Sequence, residues 1–176
     1  MKRQMSWALL AGGIALAAAT ATAVPAAAAT RGSETFNGAI VTSGVSGTRT
    51  VITSVITAKG AFSGVGRIVE VENLPGDSDD VSRDDLVFAS GTMHIVNTNL
   101  DFSISVNQRS CVATATIPQA SAIVGGTGKF ANATGSFDST VTGRLVLARN
   151  PDGSCSLEQV PLHEVDTVTA TGTLSF

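Results

Sequence analysis

Apolar and polar residues alternate with a period of two along most of the chain from Arg49 onward. The alternating runs are rich in Val, Ile, Thr and Ser, and short groups of turn residues separate them. A two-residue period places successive side chains on opposite faces of an extended strand, so the pattern predicts antiparallel β-strands. The predicted strands are residues 49–59, 65–72, 86–96, 100–106, 111–124, 135–148 and 164–176, with an earlier one at 34–42.

Short turn sequences connect these runs. Asn150-Pro151-Asp152-Gly153 and Asn97-Thr98-Asn99 both lie between alternating segments, which is typical of consecutive strands joined by tight turns. Seven or eight strands with no helix to cover a face must close into a barrel or fold over as a sandwich. Closure removes exposed strand edges. We therefore predict an all-β fold, an antiparallel eight-stranded barrel, with a β-sandwich as the alternative.

The first 29 residues have the layout of a secretory signal peptide. Lys2 and Arg3 precede an uncharged, Ala-rich run, and small residues at 27–29 form an A-x-A-like cleavage site. A retained membrane anchor is the alternative, but two glycines and a proline dilute the run. We expect cleavage near Thr30, a single mature domain at 30–176, and a secreted, extracellular protein with no membrane association after processing.

The charge of the chain argues against one class of function, and its cysteine content favours a disulfide bond. Loss of Lys2 and Arg3 leaves nine basic and fourteen acidic residues, a net charge of −5, which argues against nucleic-acid binding. Cys111 and Cys155 are the only cysteines, and a lone pair in an exported protein favours a disulfide bond. Two buried free thiols are the alternative.

Metal-binding patterns are sparse. The loop at 75–85 carries five aspartates but lacks the spaced ligands and closing Glu of a calcium site, so a solvated acidic loop is favoured. His94 and His163 have no neighbouring ligand at metal-site spacing, which favours ordinary hydrogen-bonded or exposed histidines. We predict no metal and no cofactor.

One segment, I-V-G-G-T-G-K-F-A-N-A-T-G at 123–135, is more specific. It resembles the I-x-G-G-T-G-x-[FY]-x-x-A-x-G signature of the allene oxide cyclase-like and dirigent-like barrels. The similarity is strongest over 117–143, and the final strand at 172–176 also resembles that of the family. As a purely structural corner, Gly125, Gly126, Thr127 and Gly128 would turn one strand into the next, Phe130 would plug the barrel rim, and Gly135 would permit close backbone approach.

The resemblance implies a secreted bacterial member of a superfamily of eight-stranded barrels with a hydrophobic cavity. That superfamily includes plant cyclases acting on fatty-acid epoxides and dirigent proteins that steer radical coupling. A small hydrophobic ligand and a cyclase or isomerase activity follow as expectations. No catalytic residue of the family is carried over to this chain.

Strand parity supplies the candidate catalytic residues. Glu164 and Asp166 share a face with Val168, Ala170, Leu174 and Phe176, while Arg67 shares parity with Val65, Val69 and Val71. If Arg67, Glu164 and Asp166 face inward, they form a charged patch at a cavity mouth, suited to orienting a substrate or transferring a proton. A buried structural ion pair is the alternative.

Three functions therefore remain open on the sequence. The chain is a barrel that binds a small hydrophobic molecule and catalyses its cyclisation or isomerisation, a non-catalytic binding module, or a structural β-protein with a filled interior. Ligand identity and an oligomeric state are left open. A cavity below about 300 Å³ would exclude both ligand-binding functions.

Overall fold

The computed structural model describes residues 29–45 and 47–176, and the signal-peptide prediction falls almost entirely outside these residues. The described chain is all-β, and its single helix is a short 3-10 helix at Gly128–Phe130. The strands are β1 (Arg31–Ser43), β2 (Thr50–Gly60), β3 (Gly64–Val71), β4 (Val81–Phe88), β5 (Gly91–Asn99), β6 (Ser103–Asn107), β7 (Val112–Gly126), β8 (Thr134–Val146) and β9 (His163–Ser175).

Eight of these strands form a closed antiparallel barrel, as predicted. Strands β1, β2, β3, β4 and β5 are neighbours in that order, and β5 then pairs with β7. Strands β7, β8 and β9 continue the sheet, and the pairing of β9 with β1 closes the ring. The remaining strand, β6, lies outside the closed ring, along the first part of β7.

Two predicted boundaries were wrong. The single strand predicted at 86–96 is a hairpin in which β4 and β5 pair antiparallel, and Gly91 follows the turn with a φ of 143° that suits glycine. The predicted turn Asn97-Thr98-Asn99 is the end of β5. Asn97 is tolerated inside the barrel because polar groups on neighbouring strands satisfy its amide.

One end of the barrel, which we call the closed end, is filled by aromatic rings. Phe62, Phe88, Phe130 and Phe176 pack edge to face, with ring centroids 4.9–6.4 Å apart. Phe130 is fully buried among these rings and plugs this end. Gly128 adopts a φ of 57°, and a Cβ on Gly126 or Gly135 would collide with the backbone carbonyl of Thr92 or Thr173. The signature segment therefore shapes this corner.

A second, smaller core lies at the opposite end. The structure pairs Cys111, just before β7, with Cys155 in the connection between β8 and β9, at a Cα–Cα distance of 5.3 Å. Ala113, Leu145 and Leu147 pack around the bridge. The disulfide therefore anchors a long connection to the barrel wall.

Candidate functional site

The barrel interior holds a partly open cavity of about 360 Å³, lined by residues of the larger core. Its lower wall, towards the closed end, is apolar. Polar side chains enter the lining towards the other end, which we call the mouth. The apolar lining consists mainly of Phe36, Ile40, Ile56, Ile68, Leu86, Ile95, Phe137 and Ala170.

A chain of hydrogen bonds crosses the polar part of the wall through four strands. The Asn97 amide donates to Asp84 Oδ2 at 2.8 Å, and the Ser121 hydroxyl donates to Asn97 Oδ1 at 2.7 Å. Ser121 has a single hydroxyl proton, so the 2.8 Å contact with Ser139 must be donated by Ser139. All donors therefore point along one direction, which ends on the Asp84 carboxylate.

Asp84 is partly buried, and one of its two carboxylate oxygens has no hydrogen-bond partner in the described part of the chain. Desolvation by burial is the main cause that raises its pKa to about 6, with smaller contributions from Glu70 and Asp85, while the Asn97 hydrogen bond and Arg49 act in the opposite direction. Its Oδ2 is held by Asn97, whereas Oδ1 accepts no hydrogen bond within the described part of the chain. Asp84 can therefore accept a hydrogen bond from a molecule in the cavity.

An ion cluster lies at the mouth and is centred on Arg49, which immediately precedes β2. Its guanidinium contacts Glu70 on β3 at 2.5 Å, and Glu164 and Asp166 on β9 at 3.1 and 3.8 Å. Glu164 also accepts a hydrogen bond from the Thr42 hydroxyl at 3.2 Å. One guanidinium thus faces three carboxylates, and the mouth has an excess of negative charge.

Asp166 belongs to this cluster and to the cavity wall. Burial is the main cause that raises its pKa to about 6, and Glu164 raises it further, against the opposing effect of Arg49. Its register partner on β8 is Gly143, where a Cβ would lie 2.7 Å from Asp166 Oδ1. The glycine therefore makes room for the carboxylate on the inner face.

The predicted site residues divide into two groups. Glu164 and Asp166 face inward with Val168, Ala170 and Leu174, as strand parity indicated. Their catalytic role stays a prediction.

The expectation that Arg67 faces inward was wrong. Arg67 is exposed on the outer face together with Val65, Val69 and Val71, and the inner face of β3 carries Ile68 and Glu70. The cation that meets the two carboxylates is Arg49 instead.

Sequence reasoning missed Asp84 and its partners. Asp84 was assigned to a solvated acidic loop, but it lies on β4 and faces inward, while Asp77 in the same segment binds Arg83 at 2.7 Å. The available signal was the shared parity of Asp84 with Leu86 and Phe88, which are buried.

The histidines do not enter the site. His94 lies on the outer face of β5, 2.6 Å from Asp85, and His163 is exposed at the start of β9. Among the described residues, no group of three or more His, Cys, Asp or Glu side chains is arranged to hold a metal ion. That part of the chain also contains no helix long and apolar enough to cross a membrane.

No known protein family, curated protein or solved structure matches this chain. The class of this protein is therefore described by its fold and its cavity alone. It is a small closed antiparallel barrel with a cavity whose lining is apolar towards the closed end and acidic towards the mouth.

The raised pKa values of Asp84 and Asp166 predict an unusual pH dependence of stability. Between about pH 4 and pH 6 the folded state holds protons that the unfolded state has released, so the free energy of unfolding should fall as the pH rises through this window. We expect a fall of about 1–3 kcal/mol for the two groups together. Asp77, whose pKa is lowered to about 2 chiefly by Arg83, acts below this window with the opposite sign.

Urea unfolding followed by circular dichroism at several pH values measures this trend. Asp84→Asn should flatten the curve, whereas Asp138→Asn, on the exposed face of β8, should leave it unchanged. Stability that is constant or rises between pH 4 and 7 would contradict the assignment.

Proposed function

We propose that this protein is a secreted barrel that binds a small, largely apolar molecule in its interior cavity. The observation that carries the proposal is the combination of an apolar pocket with Asp84, whose Oδ1 is free to accept a hydrogen bond. The ligand would place its apolar body among Phe36, Ile56 and Ile95 and a donor group at Asp84 or Asp166.

The size of the cavity supports this proposal. Pockets for small ligands typically measure about 300–1,000 Å³, and a cavity of about 360 Å³ lies at the lower end of that range. A barrel of eight strands is just wide enough either to be filled by its own side chains or to hold one small ligand.

Cyclisation or isomerisation in the cavity is the second candidate, and the two carboxyl groups favour it. Groups with a pKa near 6 exchange protons readily near neutral pH, so Asp84 and Asp166 are suited to general acid-base catalysis. A rigid apolar cavity would hold a flexible substrate in its reactive conformation. The resemblance of the 123–135 segment to cyclase-like and dirigent-like barrels supports the same reaction class, although those residues shape the closed end and do not line the cavity.

Export remains part of the proposal. The signal-like segment supports it, and the Cys111–Cys155 bridge is compatible with an oxidising compartment.

Asp84→Asn tests the proposal. The neutral amide keeps an acceptor for Asn97 but loses the charge, so the affinity for N-phenyl-1-naphthylamine, an apolar probe with one N–H donor, should fall about tenfold at pH 8. The same variant should be more stable than wild type at pH 8, by about 1–2 kcal/mol, because a desolvated charge is removed.

Probe fluorescence gives the affinity and urea unfolding the stability of the same samples. Asp138→Asn is the matched control and should change neither value. Loss of stability with unchanged affinity would show that Asp84 is structural and would reject its role in binding.

A further inference from the structure

The barrel wall contains one seam that is only partly paired. β2 and β3 share three register pairs, Ile56 with Gly66, Thr57 with Val65 and Ala58 with Gly64, all near their connecting turn. The other side of β2 is paired with β1 from Glu34 to Ser43, and β3 is paired with β4 from Gly66 to Val71. The two strands therefore separate towards the mouth while both remain held by their other neighbours.

Side chains replace backbone pairing along the open part of the seam. Continuing the register would place Ser54 opposite Ile68, and at that point the Ser54 hydroxyl donates to the Ile68 carbonyl at 2.6 Å. The hydroxyl replaces a backbone N–H as the donor to this carbonyl, so a side chain and not backbone pairing joins the two strands here. Nearer the mouth, the second contact across the seam is the ion pair of Arg49 with Glu70, both partly exposed.

The seam separates two spaces that share a wall. A surface groove of about 440 Å³ runs along it outside the barrel, lined by Val51, Thr53, Arg67 and Val69 among others. Ile68 and Glu70 line both this groove and the interior cavity. Side chains, and no continuous hydrogen-bonded sheet, therefore divide the groove from the interior.

We propose that small apolar molecules enter and leave the interior cavity through the β2–β3 seam, which opens when the Ser54–Ile68 and Arg49–Glu70 contacts break. This inference rests on the proposed binding function. The mouth offers a less favourable path, because an apolar molecule would have to pass the charged groups of Arg49, Glu164 and Asp166. The outer side of the seam carries exposed valines at positions 51 and 69 beside Arg67, and a single ion pair, Arg49 with Glu70, crosses it.

The first experiment opens the seam and requires no ligand. A reporter cysteine, Val141→Cys, is placed on the cavity wall of β8, and its modification by methyl methanethiosulfonate is followed by intact mass. Adding Ser54→Ala should accelerate modification about fivefold, because one hydrogen bond across the seam is lost. Thr57→Ala is the matched control, since its hydroxyl donates to the Asn37 carbonyl across the β1–β2 seam, which is paired from Glu34 to Ser43. It should leave the rate unchanged.

The second experiment closes the seam. The same register places Thr53 opposite Val69, and cysteines at these positions, joined by oxidation or by a short bis-alkylating reagent, would hold the strands together. Association and dissociation of N-phenyl-1-naphthylamine, measured by stopped-flow fluorescence, should both slow about tenfold or more at nearly constant affinity. The control crosslink, Thr57→Cys with Val65→Cys, joins residues that are already paired and should not slow either step.

The two experiments distinguish failure of the proposed entry route from failure of the proposed binding function. Equal reporter modification in Ser54→Ala and Thr57→Ala would overturn the seam as the route, and so would equal probe kinetics in the two crosslinked proteins. If the probe fails to bind wild type while Ser54→Ala still accelerates modification, the proposed function fails and the seam stands as the entrance.

Discussion

Replacing Phe130 with alanine is expected to lower the free energy of unfolding by about 3–5 kcal/mol. Phe130 is fully buried, and its ring lies 5.0 Å from that of Phe62 and 5.3 Å from that of Phe176 between centroids. Alanine would leave a cavity at the closed end and remove three aromatic contacts at once. Urea unfolding monitored by circular dichroism measures the loss.

Phe102→Ala is the matched control for this prediction. Phe102 is 59% exposed, so the same change there should cost less than about 1 kcal/mol. Phe130→Leu keeps most of the buried volume and should lie between the two, which preserves the comparison if the alanine variant does not fold. Equal losses at 102 and 130 would contradict the role of Phe130 as the plug.

Reduction of the Cys111–Cys155 bridge is expected to destabilise the barrel by about 4 kcal/mol. The bridge joins residues 44 apart in the sequence, and opening it restores conformational freedom to a loop of that length in the unfolded chain. Comparing the oxidised and reduced wild-type protein keeps the buried sulfur atoms in both samples. The difference in their unfolding free energies therefore reports the crosslink alone.

Mass analysis tests whether the disulfide bond is present before reduction. The oxidised protein should be two hydrogens lighter than the reduced form, and alkylation without reductant should modify neither cysteine. Two thiols that react freely in the native protein would contradict the bridge. A loss below about 1 kcal/mol on reduction would show that packing of Ala113 and Leu147 holds the long connection without it.

Strand faces could be predicted where a strand is regular. In β9, Glu164 and Asp166 were placed on the inner face because Val168, Ala170 and Leu174 follow at two-residue steps. β9 pairs with β1 and with β8 in unbroken registers, so no bulge shifts the alternation. The two-residue period of β9 therefore predicts both the strand and the face on which each of its side chains lies.

The same reasoning failed for β3, where the valines lie outside. The positions that face inward include Gly64 and Gly66, and the ring of Phe88 fills the space beside Gly66. The inner face of β3 is formed partly by glycines and partly by a phenylalanine of the neighbouring strand. The sequence of β3 therefore shows no alternation of apolar residues on that face. Arg67 was therefore assigned to the wrong side.

Asp84 and Asn97 were missed for a different reason. Aspartate and asparagine favour turns, so local composition predicted loops at both places. Inside the barrel each satisfies the other, and Ser121 and Ser139 complete the chain from β7 and β8. This compensation depends on partners that are distant in the sequence, so the pattern of one strand cannot reveal it.

The pairing of β1 with β9 also constrains how the protein folds. The contact between Thr42 and Glu164 closes a segment of 122 residues, and the ring is incomplete until the last strand has docked on the first. The entropy of closing so long a segment is lost before the pairing contributes, so we expect folding on the slow scale of β-barrels, milliseconds to seconds. Until that step, β1 and β9 each present an unpaired edge to other chains. Refolding at high protein concentration should therefore lose yield to aggregation at this final docking.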